Sequence, residues 1–188
     1  MENLAVVLAI AYLFLAIRQN ILCWLCAASS SLIYVALFFN VKLYMESILN
    51  IFYFCMAVYG WLSWRSSDKN SSLRVISWDL SVHIRSIFVI SVISIASGYI
   101  LNRHTDAAFP YIDSLTTFFS IWATYLVAKK ILENWWYWLL IDITSIAIYW
   151  ERGLSSTSLL FLLYVLMIPF GIYSWRSSYE ESQHDRAG

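Results

Sequence analysis

Long apolar runs broken by short polar stretches set the plan of this chain. Seven runs can be marked off: Leu4–Ile17, Ile21–Phe39, Leu43–Trp64, Ile84–Leu101, Ser114–Ala128, Trp135–Trp150 and Leu154–Trp175. Each predicts a helix at membrane depth. A straight span needs about 20 apolar residues, so the shorter runs must borrow length from their polar flanks. Most breaks are brief: Arg18-Gln19-Asn20, Asn40-Val41-Lys42, Lys129-Lys130 and Glu151-Arg152-Gly153. The exception, Arg65 to Asp79, is rich in Ser, Asn, Asp and Lys and is expected to be a solvated connector. The polar tail from Ser177 to Gly188 is expected to be disordered. The first run follows Glu2 and precedes Arg18, the reverse of the charge order in a secretory leader, so a retained helix is expected.

Composition narrows the class. Of 188 residues, 61% are hydrophobic and only 13% are charged, against roughly 25% charged in soluble domains. The chain is therefore an integral membrane protein. Its zero formal net charge hides a segregation by loop. With the N-terminus outside, the inner segments hold Arg18, Arg65, Lys69, Arg74, Arg85, Lys129, Lys130, Arg176 and Arg186, and the outer ones only Lys42, Arg103 and Arg152. That asymmetry obeys the positive-inside rule and predicts N-out, C-in. No soluble segment interleaves basic and aromatic residues, so nucleic acid is not an expected partner.

The chain also repeats itself. Tyr53 to Ser67 and Tyr164 to Ser178 share Tyr, Met, Gly, Ser, Trp, Arg, Ser and Ser in the same order and at one constant offset. A second echo sets Asn20 to Trp24 against Asn134 to Trp138, at a slightly larger offset. Chance matching of apolar helices yields Leu and Ile, not G-x-x-S-W-R-S-S twice. The repeat pairs helices 1–3 with helices 5–7 and leaves helix 4 as a linker. The expected fold is all-α, with seven transmembrane helices as 3+1+3 parallel repeats. Residues 1–65 form the first repeat, 66–112 the connector and linker helix, 113–176 the second repeat, and 177–188 the tail. Parallel repeats about an axis along the membrane normal are a transporter plan, with the site near midplane.

One face of helix 6 carries the candidate chemistry. Trp135, Trp138, Asp142, Ser145 and Tyr149 fall at i, i+3, i+7, i+10 and i+14, which puts them on one side of a helix. An ionised carboxylate at mid-membrane costs roughly 2.5–3.5 kcal/mol, so Asp142 needs a partner or a cavity. Tryptophans beside a carboxylate suit a flat cationic ring. The plainer alternative has the tryptophans anchoring the membrane interface while Asp142 bonds a neighbouring helix.

Further polar stripes lie on helix 2 (Asn20, Trp24, Ser31, Tyr34), helix 3 (Glu46, Asn50, Tyr53, Gly60) and helix 5 (Asp113, Thr117, Ser120, Thr124). Single Ser and Thr residues more often tie helices together, for ~0.6 kcal/mol each. Asp113 either recruits a cation at the entrance or marks a helix start. Gly60 and Gly171 are assigned to close helix packing. Pro169 marks either a kink used in motion or a static bend. The substrate-contact set is Trp24, Asn50, Tyr53, Asp113, Ser120, Trp135, Trp138, Asp142, Ser145 and Tyr149.

Five motifs carry a family resemblance: L-Y-x-E-S-x-L-N-x-x-Y from Leu43, Y-G-W-x-x-W from Tyr59, F-P-Y-x-D-S from Phe109, K-x-x-E-N-W-x-x-W from Lys130, and G-L-x-x-T-S-L from Gly153. As a set, across Asn20 to Trp175, the chain resembles the Pnu-type bacterial vitamin transporters, which carry nicotinamide riboside or thiamine. The resemblance implies the fold of the SWEET sugar transporters, a homotrimer in the bacterial inner membrane, and facilitated diffusion of an unphosphorylated vitamin. It also implies a cytoplasmic kinase that traps the product. By that resemblance Trp135 and Trp138 match the W-x-x-W that sandwiches the substrate ring. The chain departs in lacking an extra N-terminal helix, in Asp142 where the nicotinamide riboside carriers place Asn, and in Asn50 where they tend to have Gln. The last two departures resemble the thiamine branch.

Rival functions find less support. Cys23 and Cys26 form a C-x-x-C that an intramembrane redox enzyme could use, but such enzymes place more cysteines in exposed loops. His83, His104 and His184 lie away from Asp142, with no H-E-x-x-H motif. The last helix has no lysine for a retinal Schiff base. No nucleotide-binding motif and no proton relay is evident, so flux without cofactor or energy input is expected.

Overall fold

A computed structural model describes residues 2–40, 44–65, 74–105, 109–151 and 155–187. Among these, seven helices follow in order: α1 (Glu2–Ile17), α2 (Cys23–Asn40), α3 (Tyr44–Arg65), α4 (Leu80–His104), α5 (Pro110–Ala128), α6 (Asn134–Glu151) and α7 (Ser155–Ala187). Each apolar run became one helix. The expected starts at Leu43 and Leu154 lie outside the described residues. Among the described residues, three stretches are long and apolar enough to cross a membrane by length and composition: Ser47–Arg65, Leu80–His104 and Ser158–His184.

Helix boundaries recur at a single spacing. Ile17 and Ala128 end α1 and α5; Cys23 and Asn134 begin α2 and α6; Asn40 and Glu151 end them; Tyr44 and Ser155 begin α3 and α7. Every pair keeps the offset that carries Tyr53 onto Tyr164 in the sequence repeat. The Trp24–Trp138 echo is thus out of step with the helices, and Trp135 holds the position matching Trp24. A side-chain bond recurs as well. Ser47 donates to the Val35 carbonyl at 3.1 Å, and Ser158 to the Ile146 carbonyl at 3.1 Å. Such hydroxyl bonds join helices where lipid offers no hydrogen bonds.

The chain divides into two compact units. The first holds Met1–Ile76, Val127–Ile131 and Phe170–Gly188. Its core includes Ala5, Ala16, Cys23, Trp24, Ala57 and Trp175, all buried. Ser30 fastens α2 to α1 through the Ala5 carbonyl at 2.9 Å. Gly60 is required by Trp24, because a Cβ there would run into the indole ring.

The second unit holds Ser77–Leu126 and Leu132–Pro169. Within it α4 buries only His83, Ser94 and Gly98, while Ile84, Phe88, Val92, Ile95 and Ile100 are exposed. That pattern suits a helix clad in lipid. Gly98 admits Tyr111 of α5: a Cβ would lie 2.8 Å from the Tyr111 Cα.

Two expectations are corrected. The described end of the connector is anchored: Val75 is buried, and Ile76 forms a parallel β-bridge with Ile131, its N–H donating to the Lys130 carbonyl at 3.1 Å. Val75 is buried and Trp78 half-buried, which a fully solvated linker would not show, whereas Arg74, Ile76, Ser77 and Asp79 stay exposed. Residues 66–73 lie outside the described residues. The tail is also ordered, since α7 runs unbroken through Pro169 to Ala187. Arg176 pairs with Glu180 at 2.9 Å, Ser177 donates to Glu181 at 3.4 Å, and Ser182 is buried. These i,i+4 pairs extend a helix that composition alone read as coil.

Candidate functional site

The candidate site is built on α6. Its first turn begins with the Trp136 N–H bonding the Glu133 carbonyl at 3.2 Å. Apolar Trp136, Leu140 and Ile143 are exposed, so the opposite face turns inward. On that face Trp135, Asp142 and Ser145 are 2%, 3% and 7% exposed, and Trp138 is half-buried. Among the described residues, the Asp142 Oδ1 atom is buried without a hydrogen-bond partner. Buried polar atoms are nearly always bonded. A carboxylate oxygen held open on a helix face that also carries indole rings can accept a donor or stabilise a positive charge.

In the same unit, α5 contributes buried Ser120 and Thr124 and half-buried Asp113. Thr124 spends its hydroxyl on its own helix, donating to the Ser120 carbonyl at 2.8 Å. The remaining sequence candidates belong to the first unit. Asn50 and Tyr53 are half-buried on α3. Trp24 is almost fully buried and sits in an aromatic cluster, edge-on to Trp64 at 5.4 Å and tilted to Tyr12 at 6.1 Å. The structure thus brings Asp113, Ser120, Trp135, Trp138, Asp142 and Ser145 into one unit, and Trp24, Asn50 and Tyr53 into the other. The side chains of Tyr149 and Glu46 lie outside the described set. Cys23 is buried, Cys26 half-buried and Cys55 exposed, all as free thiols. Among the described residues, no His, Cys, Asp and Glu cluster is suited to a metal.

Sequence reasoning missed a polar clamp at the start of α6. The Glu133 carboxylate accepts from the Ser77 hydroxyl and from the Trp78 N–H at 3.3 Å, with His83 Nε2 3.6 Å away. The His83 Nδ1 atom lies 3.0 Å from the Tyr137 hydroxyl. Tyr137 stacks on Phe119, while Trp78 packs against His83 and Trp122. This clamp ties the residues ahead of α4 to the turn that launches Trp135 and Trp138. The one sequence signal was Glu133 itself, an acid just before the start of an apolar helix.

Comparison with known proteins decides the family. A family model described as nicotinamide mononucleotide transporter matches residues 1–177. The chain belongs to the nicotinamide mononucleotide transporter family. Within this family it is 25% identical to the nicotinamide riboside transporter PnuC of Escherichia coli (strain K12) over 171 residues, covering 77% of this chain and 72% of that protein. It is 22% identical over 126 residues to the riboflavin/roseoflavin transporter RibM of Streptomyces davaonensis, covering 64% and 58%. The crystal structure of the vitamin B3 transporter PnuC shares the fold, with a TM-score of 0.74 at 19% identity, over 96% of this chain and 82% of that one. The chain is therefore a multi-pass membrane protein of a transporter family, not an enzyme. The redox reading of Cys23 and Cys26 falls with that result.

Proposed function

We propose that this protein is a facilitative transporter for an unphosphorylated vitamin with a positively charged aromatic ring, nicotinamide riboside being the first candidate. The observation that carries the proposal is the open Oδ1 of buried Asp142 on the face that bears Trp135 and Trp138. The indoles stack on the ring, and Asp142 balances its charge. Ser145 on the same face, and Ser120 of α5 in the same unit, offer hydroxyls for a sugar or side arm. A neutral flavin, the cargo named for RibM, would leave that carboxylate uncompensated. Thiamine is the second reading, favoured by Asp142 and Asn50, the two departures toward the thiamine branch.

The recurrence of helix boundaries at one offset supports a 3+1+3 arrangement of parallel repeats. Loop charge supports an N-terminus outside the inner membrane and a cytoplasmic C-terminus. The homotrimer and the trapping kinase rest on the family resemblance alone. Counterflow of labelled nicotinamide riboside in proteoliposomes without any ion gradient tests the function. Exchange is expected, and thiamine should compete. A strict need for a proton or sodium gradient would contradict the mechanism.

A further inference from the structure

The two turns that follow α1 and α5 are built alike. Asn20 N–H bonds the Leu15 carbonyl at 2.9 Å, and Gln19 N–H the Ala16 carbonyl at 3.0 Å, the double closure of a left-handed helix terminus. Lys130 N–H bonds the Val127 carbonyl at 3.0 Å, the matching bond in the second repeat. Gln19 and Lys130 both have φ of 53°. Glycine occupies such positions without strain, and a side chain there costs on the order of 1 kcal/mol. Two long polar residues held at this cost point to a use for their side chains.

That use is visible. Lys130 Nζ donates to Gln19 Oε1 at 3.2 Å, and Gln19 Nε2 donates to the Ser178 hydroxyl at 2.8 Å. Lys130 Nζ also lies 4.6 Å from the centre of the Trp64 ring. Trp64, at the end of α3, donates its indole N–H to the Ala128 carbonyl at 3.1 Å. Its counterpart Trp175, on α7, donates to the Ala16 carbonyl at 2.9 Å. The two rings lie 6.4 Å apart. Ser174 adds a bond to the Ile17 carbonyl at 2.9 Å. The exchange is reciprocal: α3 holds the end of α5, and α7 holds the end of α1. Every bond crosses from one set of three helices to the other, and all lie in the first unit.

We infer that Gln19, Trp64, Lys130, Trp175 and Ser178 form a latch that closes the membrane face where α1, α3 and α5 end, and that cargo crosses this face only when the latch parts. The inference rests on the transport function proposed above. Separating the two helix sets at this face breaks both indole bonds and the Gln19–Lys130 bond together, so the latch has two states. Cys23 is fully buried and precedes Trp24, whose ring packs on Trp64 of the latch.

Cysteine labelling and cross-linking test the latch. With Cys26 and Cys55 replaced by Ser, a membrane-impermeant maleimide applied from this face should label Cys23 slowly. Trp64→Phe and Trp175→Phe each remove one indole donor and should raise that rate about fivefold, the worth of one hydrogen bond. In a protein without native cysteines, Gln19→Cys with Ser178→Cys, joined by a short cleavable bis-thiosulfonate, should still bind nicotinamide riboside but lose uptake until reduced. Unchanged labelling in both Phe variants, or full uptake by the cross-linked protein, overturns the latch. A Phe variant that labels faster but no longer binds has unfolded, and the cross-link then decides. If labelling rises as stated but the reduced protein moves no vitamin, the transport function fails and the latch stands.

Discussion

Two tryptophan-bearing regions in this molecule handle their polar atoms in opposite ways. Around Trp64 and Trp175 both indole N–H groups find a helix-end carbonyl, and Gln19 bonds both Lys130 and Ser178. On α6 a carboxylate oxygen of Asp142 is buried, on the face that bears Trp135, with no partner among the described residues. The first arrangement stabilises the folded chain. The second costs stability, a trade that is common at functional sites. The comparison teaches that burial of tryptophan alone does not mark a candidate site, and neither does an unmet indole N–H such as that of Trp24; the unmet carboxylate oxygen of Asp142 sets α6 apart.

The largest expected effect comes from exchanging that cost for packing. Asp142→Leu should weaken binding of a cationic vitamin at least roughly tenfold, since bonds to charged groups contribute about 1.5–3 kcal/mol. The same change should leave the unfolding temperature equal or higher, because replacing a buried charge by a hydrophobe is often stabilising. Binding titrations and thermal melts on one preparation check both halves. A variant that loses stability together with affinity would make Asp142 a structural acid and erase the contrast.

Next in size is Trp138. Cation–π attraction contributes about 0.5–2 kcal/mol per ring, so Trp138→Ala should weaken binding several-fold and Trp138→Phe less. Isothermal titration with nicotinamide riboside reads the series; equal losses in the two variants would argue against ring stacking.

The converse change belongs to the other region. Trp64→Phe removes a bond to the Ala128 carbonyl and should cost about 1 kcal/mol of stability, seen as a lower melting temperature. Affinity for the vitamin should stay nearly unchanged. A drop in affinity as large as that of Trp138→Ala would merge the two regions into one site.

The smallest effect is a pH slope. Burial pushes the Lys130 ammonium down from its ordinary 10.5 to about 8. Between those values the unfolded chain holds a proton that the folded chain has released. Stability should therefore rise as pH increases from about 8 toward 10.5. Lys130→Met should flatten the slope, measured as melting temperature against pH in detergent.

Much of this could be read from the chain. Apolar run lengths marked all seven helices, because lipid rewards uninterrupted hydrophobicity and the loop residues punctuate it sharply. The α6 face was legible because helical spacing is local. The Glu133 clamp was not: Ser77 and Trp78 are remote from Glu133 in the chain, and no local pattern ties them. The ordered tail was hidden for a related reason, since Ser178 is held by Gln19 from the far end of the chain. Trp24 looked like a match for Trp138 because both follow an Asn at the same distance, whereas helix starts align it with Trp135. Helix registers are set by turns, and the Gln19 and Lys130 turns sit at the same point of each repeat.

The central claim is that Asp142 waits for a positive ring, and one comparison tests it directly. Purified Asp142→Asn keeps the shape of the side chain and one acceptor but removes the charge. Tryptophan quenching should be titrated with nicotinamide riboside and with its reduced, uncharged-ring form, on wild-type and variant protein. Wild type is expected to favour the charged ring, and Asp142→Asn to lose most of that preference while binding the neutral form about as before. If the variant binds both forms like wild type, or loses both alike, Asp142 does not serve the charge of the cargo.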